Sequence, residues 1–219
     1  MVQERAAKTR DAILRGAASV FVERGYSGTA LSDVVSAAGV TKGALYFHFD
    51  SKESLALAII DAQHTASTRA GASLFDPAIP GLEALITLTA RYARQMRVDP
   101  IVRAGIKLTM EAASFSVPVV GPYTDWIIAG EVLLGRAAES GEISPNVDVG
   151  MLAHFIVPTF TGIQLLSDVL THHEDLYQRV GEMWQVLLPA LVVPERVATW
   201  RKRVDELMDA ALSSEIAAG

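Results

Sequence analysis

The 219-residue chain contains no cysteine, which excludes disulfides, thiolate catalysis and cysteine-ligated metals together and fits a reducing compartment such as the cytoplasm. Export is not expected either. The N-terminus, MVQERAAKTRDA, is charged where a signal peptide needs an apolar run. No apolar stretch is expected to reach the roughly 18 residues of a membrane helix; VLLPALVVP comes nearest and is broken by two prolines. The expectation is a cytoplasmic protein with no membrane partner. The period-two alternation that marks strands is also wanting. So are the motifs of common catalysts: no G-x-S-x-G elbow, no H-E-x-x-H and no glycine-rich phosphate loop. His48, His64 and His154 stand without an evident acid partner or nucleophile, so neither an enzyme nor a cofactor is expected. His172, His173 and Glu174 are consecutive, and neighbours on a helix point about 100° apart. They converge poorly on one ion and are expected in a solvated loop, with no metal.

What is present is half hydrophobic and one-fifth charged, a composition that buries a core. The net charge of −6 is unevenly spread, with a balance of +2 over residues 1–52 and −8 over the rest. A basic end on an acidic body suits two tasks, one of them facing phosphates.

Nearly every segment reads as helix. In KTRDAILRGAASVFVERGY, Ile13, Leu14, Ala17, Ala18 and Phe21 recur at helical spacing, and Gly25 supplies a stop. TALSDVVSAAG follows as a short helix with Thr29 as candidate cap, closed by Gly39. A third helix spans Thr41 to about Phe47. Asp50 with Glu53 resembles a capping box that opens a fourth, running to about Gln63. After a looser hinge, TASTRAGASLFDPAIPG, helices are expected at about 81–97, 100–113, 121–140, 148–171, 174–193 and 194–213. The fold class is therefore all-α: an N-terminal helix-turn-helix bundle over residues 1–52 and a larger helical domain over 53–219.

Two short helices joined at a glycine form a helix-turn-helix, a unit that lays its second helix in the major groove of DNA but also occurs in proteins that never meet DNA. The residue types in GVTKGALYFHFDSKESLA suit the first use. Thr41 caps the helix and offers a hydroxyl to phosphate. Lys42 reaches a base edge or phosphate. Gly43 gives up about 1 kcal/mol of helix propensity against alanine, a cost that makes sense where a backbone must approach another molecule. Tyr46 presents its hydroxyl outward, and His48 and Lys52 follow as candidate clamps. The competing reading makes Thr41 a cap only, and Tyr46 and Phe47 core aromatics.

Residues 9–56, above all FVERGYSGTALSDVVSAAGVTKGALYFHFDSKESLALAI, resemble the DNA-binding domain of the TetR family of one-component repressors. The wording TKGALYFHFxSKExLA, with DWIIAGEVLL and the chain length, is similar to the γ-butyrolactone autoregulator receptors, which control antibiotic production. The resemblance implies a repressor that binds an inverted-repeat operator in double-stranded DNA as a homodimer and is released by a small lipophilic ligand. A repressor of an efflux or catabolic gene, answering another lipophilic molecule, is the alternative, and a lactone-processing enzyme is a remote one. Thr41, Lys42, Gly43, Tyr46, His48 and Lys52 are then the expected DNA contacts, with Arg5, Lys8 and Arg10 as a basic arm. Ala30 stands where many relatives carry Thr or Ser, leaving Thr29 or Ser32 to serve.

For the ligand, Trp126 falls on an otherwise apolar helix face, and Pro158 should kink its helix beside Thr159, Thr161 and Gln164, among Phe155, Phe160 and Ile163. A few polar groups among apolar walls is how small-ligand sites are built. Gln63, expected to close the fourth helix, joins that set. Each has a bland alternative: Trp126 as core, the threonines bonding their preceding turns. The faces carrying Leu165, Leu166, Val169, Met183, Trp184, Leu187 and Leu188 are expected to pair two subunits or to fill an internal core.

Overall fold

The computed structural model describes residues 2–216, and among these the secondary structure is helical throughout. The helices are α1 (Val2–Gly28), α2 (Leu31–Ala38), α3 (Lys42–His48), α4 (Lys52–Gly71), α5 (Gly81–Val98), α6 (Pro100–Met110), α7 (Gly121–Glu139), α8 (Val149–Thr171), α9 (Leu176–Leu191) and α10 (Pro194–Ile216). Short 3-10 turns lie at Ala72–Phe75 and Ala112–Ser114.

The chain forms two compact units. The first comprises the residues up to Arg69 together with Val98–Val119. Its core joins Ile13, Leu14, Ala17, Ala18 and Phe21 of α1 to Val34, Leu45, Leu55, Ala56, Ile59 and Ile60, and to Ala104 and Leu108 of α6. The boundary expected at residue 52 therefore falls inside this unit: Leu55, Ala56, Ile59 and Ile60 of α4 join the same core as α1, α3 and α6. Gly105 makes the α6–α4 crossing close, since a Cβ there would lie 2.4 Å from Gln63 Cβ and 3.2 Å from the Ile59 carbonyl.

The second unit, Ala70–Arg97 with Val120 onward, is built from α5, α7, α8, α9 and α10. Trp184 is fully buried, and its indole N–H donates to Thr89 Oγ1 at 2.9 Å. The Glu142 carboxylate accepts from the first amides of α5, Gly81 at 2.8 Å and Leu82 at 3.1 Å, meeting the need of exposed helix-start donors. Asp175 ties α8 to α9, accepting from Ser167 at 2.6 Å, Thr171 at 2.7 Å and Arg179 at 2.5 Å. These bonds, that from Ser167 foremost, hold its carboxyl at about 2, below the usual 3.8.

Several local expectations need correction. α4 is opened by Ser51, not Asp50: Ser54 N–H donates to Ser51 Oγ at 3.0 Å, and Ser51 N–H to Ser54 Oγ at 3.1 Å. Glu53 instead accepts from Ser116, through its amide at 2.8 Å and its hydroxyl. The expected hinge, residues 65–81, begins as helix: α4 runs on to Gly71 and the 3-10 turn Ala72–Phe75 follows it, with Ser67 buried. α8 carries Pro158 inside a single helical element, as the sequence reading placed it. It is also the one helix among the described residues long and apolar enough to cross a membrane, with a mean hydropathy of 1.5 over its best window, so VLLPALVVP was not the nearest approach. His173 does not sit in a solvated loop; it is buried, 3.2 Å from Asp168.

Candidate nucleic-acid interface and sensor core

The helix-turn-helix is set by three local features. Gly25 lies at φ 70°, ψ 177°, a conformation for glycine, and breaks α1 near its end. The Tyr26 amide that follows donates to Glu111 Oε2 at 2.7 Å. Gly39, at φ 62° and ψ 32°, then closes α2 in the left-handed cap and turns the chain into α3. Thr41 caps that helix, accepting from the Ala44 amide at 3.1 Å.

α3 buries one residue, Leu45, in the core of the unit. Thr41, Lys42, Gly43, Tyr46 and Phe47 are exposed. Lys42 Nζ lies 5.9 Å from the centre of the Tyr46 ring, four residues on and on the same stripe. His48 is half-buried, its ring 5.1 Å from that of Phe47 and 6.4 Å from that of Phe49. This seven-residue helix thus keeps one side chain for the core and offers a lysine, a tyrosine and a bare backbone to the outside.

Other expected contacts are turned inward. Thr29 is buried and donates to the Gly25 carbonyl at 2.7 Å. It is not the cap of α2 either; Ala30 is. Lacking a side-chain acceptor there, the start of α2 is held by Asp33, which accepts from the Ala30 amide at 3.4 Å and from Arg24 at 2.6 Å. Lys52 donates to the carbonyls of Tyr26 at 2.8 Å and Thr29 at 3.1 Å, 4.5 Å from the Tyr26 ring centre. It staples α4 to the end of α1. Ser32 is exposed in the first turn of α2. Arg5, Lys8 and Arg10, the basic arm, are exposed side chains on α1, with Lys8 3.1 Å from Glu4 and Arg10 5.4 Å from the Phe49 ring centre.

In the second unit an aromatic group gathers α5, α7 and α8. Tyr92 lies 4.8 Å from Trp126 and 5.6 Å from Phe160, ring centre to ring centre. One turn beyond Phe160, Gln164 is 4% exposed and its Oε1 has no hydrogen-bond partner. An unmet buried acceptor costs about 1–3 kcal/mol. Thr161 donates to the Val157 carbonyl at 2.9 Å, the bond expected of an ordinary helical threonine, and Thr159 is half-buried. Phe155 is 53% exposed and stands apart from this group on the outer side of α8. Gln63 lies in the middle of α4, not at its end; it belongs to the first unit, buried, with Nε2 3.2 Å from Ser67 Oγ. Sequence reasoning did not single out Tyr92, whose partners lie tens of residues away in the chain and leave no local pattern. The competing reading of Tyr46 and Phe47 as core aromatics does not fit their exposure, 45% and 79%.

Among the helices of this unit, Met183, Trp184 and Leu188 are internal core. Leu165, Leu166, Val169 and Leu170 of α8 and Val186 of α9 remain 45–78% exposed. Among the described residues no cluster of three His, Asp or Glu is placed to hold a metal.

Comparison with known proteins agrees with this geometry. Residues 13–59 match the family described as bacterial regulatory proteins, tetR family, and residues 79–194 match the tetracyclin repressor-like C-terminal domain. The A-factor receptor protein of Streptomyces griseus is 39% identical over 196 residues, covering 90% of this chain and 68% of that protein. A crystal structure of a γ-butyrolactone receptor, an ArpA-like protein, superposes with a TM-score of 0.81 at 35% identity, over 94% of this chain and 99% of that one. CprB of Streptomyces coelicolor, solved with its operator sequence, gives 0.83 at 35% identity, over 93% and 98%.

Proposed function

The chain belongs to the TetR family of bacterial regulatory proteins and is a DNA-binding transcriptional regulator, and on that premise we propose that it is a cytoplasmic repressor released from its operator by a γ-butyrolactone-type signal. The observation that carries the reading is the outward face of α3, where Thr41, Lys42, Gly43 and Tyr46 are exposed while Leu45 alone anchors the helix. Lys42 and the Tyr46 hydroxyl supply phosphate or base-edge contacts, and Gly43 lets the backbone approach. Ser32, His48 and the α1 cations Arg5, Lys8 and Arg10 are assigned to the flanking backbone. Thr29 and Lys52 are left out of this set, since both are spent inside the protein.

One seven-residue helix contacts few base pairs, so two copies reading an inverted repeat are needed. The exposed apolar stripe of α8, with Val186, is assigned to that pairing. The ligand is assigned to the second unit. There Tyr92, Trp126 and Phe160 offer an apolar wall, and the unmet Gln164 Oε1 offers an acceptor for a ligand hydroxyl. To convert a mostly bound population into a mostly free one, the ligand must favour the released state by roughly 10⁴-fold, or about 5.5 kcal/mol. Relatives and family are regulators and not enzymes, and for this chain the same is expected: a lactone incubated with it is recovered unchanged.

The test is selection of duplexes from a random pool by the purified protein at near-physiological salt. Enrichment of an inverted repeat supports the reading. Retention of no sequence in particular tells against it.

A further inference from the structure

Phe47 is the most exposed large apolar side chain among the described residues, at 79%. It contributes little to the core, which α3 reaches through Leu45. It sits four residues after Gly43 and so shares its stripe of the helix, and a Cβ built on Gly43 would meet nothing within 4 Å. The face of α3 thus has two adjacent stripes. One carries Lys42 and Tyr46, able to donate hydrogen bonds. The other carries a bare backbone and then a phenyl ring with no hydrogen-bonding atom.

We propose that Phe47 is a base-reading residue that selects thymine by packing its ring on the C5-methyl group. The major groove presents donors and acceptors at every base pair, and the thymine methyl is its one apolar protrusion. A phenyl ring gains from removing that methyl from water and gains nothing from phosphate oxygens. The neighbouring Gly43 leaves the space that a base edge must enter to reach the ring. The proposal rests on the DNA-binding reading of α3 and assigns to one of its residues a specificity that the donors alone do not supply.

The experiment uses the full-length protein and the inverted-repeat duplex recovered by selection. Each thymine is replaced in turn, symmetrically in both half-sites, by deoxyuridine, which differs only in lacking the methyl. Affinity is read by fluorescence anisotropy at fixed salt for the wild type, Phe47→Ala and Phe47→Leu. At one symmetric position the wild type is expected to lose about fourfold per half-site, the value of one buried methyl. Phe47→Ala is expected to bind both duplexes equally at that position, with Phe47→Leu between. Because the side chain is exposed, the thermal unfolding of Phe47→Ala should match the wild type, which separates a reading defect from misfolding. A wild type indifferent to every replacement overturns the proposal, as does Phe47→Ala keeping the same loss at the same position. Retention of no duplex by the wild type overturns the DNA-binding reading and this assignment with it.

Discussion

Two lysines close together in sequence separate the outward from the inward role. Lys42 projects from α3, whereas Lys52 donates to two carbonyls of the α1–α2 turn. Lys42→Ala should therefore weaken operator binding and lower the salt slope by about one per subunit, with unfolding unchanged. Lys52→Met should lower stability by about 2 kcal/mol, the scale of lost charge-assisted hydrogen bonds. Salt-dependent anisotropy and urea unfolding of both variants check the pair. Gln164 makes the opposite case. Its Oε1 is buried without a donor, so Gln164→Leu should leave thermal stability equal or higher while raising the lactone concentration needed for release. A stable protein with unaltered release would count against Gln164 as a ligand contact. The motif around Thr41 was legible because a cap, a lysine, a glycine and a tyrosine at fixed spacing state their chemistry locally. Thr29 and Lys52 were not, since only the folded turn at Gly25 puts carbonyls within their reach.

At the scale of the helix, apolar periodicity locates nearly all of the elements, because each presents one stripe to a core. What it could not give were ends and crossings. The start of α4 went to Ser51 and Ser54 because Glu53 found Ser116, a partner distant in sequence. The closeness of α6 to α4 is visible only when Gly105 is seen against Gln63. Gly105→Ala would put a Cβ 2.4 Å from Gln63 Cβ, and the helices must part. We expect a loss of about 1–3 kcal/mol, the usual cost of overpacking, measured by urea unfolding. The α8–α9 link has a pH signature. Because the Asp175 carboxyl is held at about 2 in the fold against 3.8 ordinarily, its contribution is fully present above the ordinary value. It fades as pH falls towards 2. The acid-induced fall in melting temperature between pH 5 and 2 should be shallower in Asp175→Asn, which has no carboxyl to protonate.

For the whole molecule, the all-helical architecture and the helix-turn-helix were readable from the chain, and the extent of the first compact unit was not. Residues 53–69 belong with the N-terminal core by packing, through Leu55, Ala56, Ile59 and Ile60, although no change of composition marks it. The apolar outer stripe of α8 is the other feature at this scale. Val169→Asp, at a position 68% exposed, should leave the fold intact, shift the protein to monomer in sedimentation, and cost most of its affinity for a two-half-site duplex. The most direct test of the central claim is a titration of a γ-butyrolactone bearing an alkyl tail into the preformed complex of protein and selected duplex. DNA release is followed by anisotropy and ligand occupancy by calorimetry. The DNA should be freed as the sites fill, with the protein still dimeric. Sites that fill while the DNA stays bound would contradict the claim.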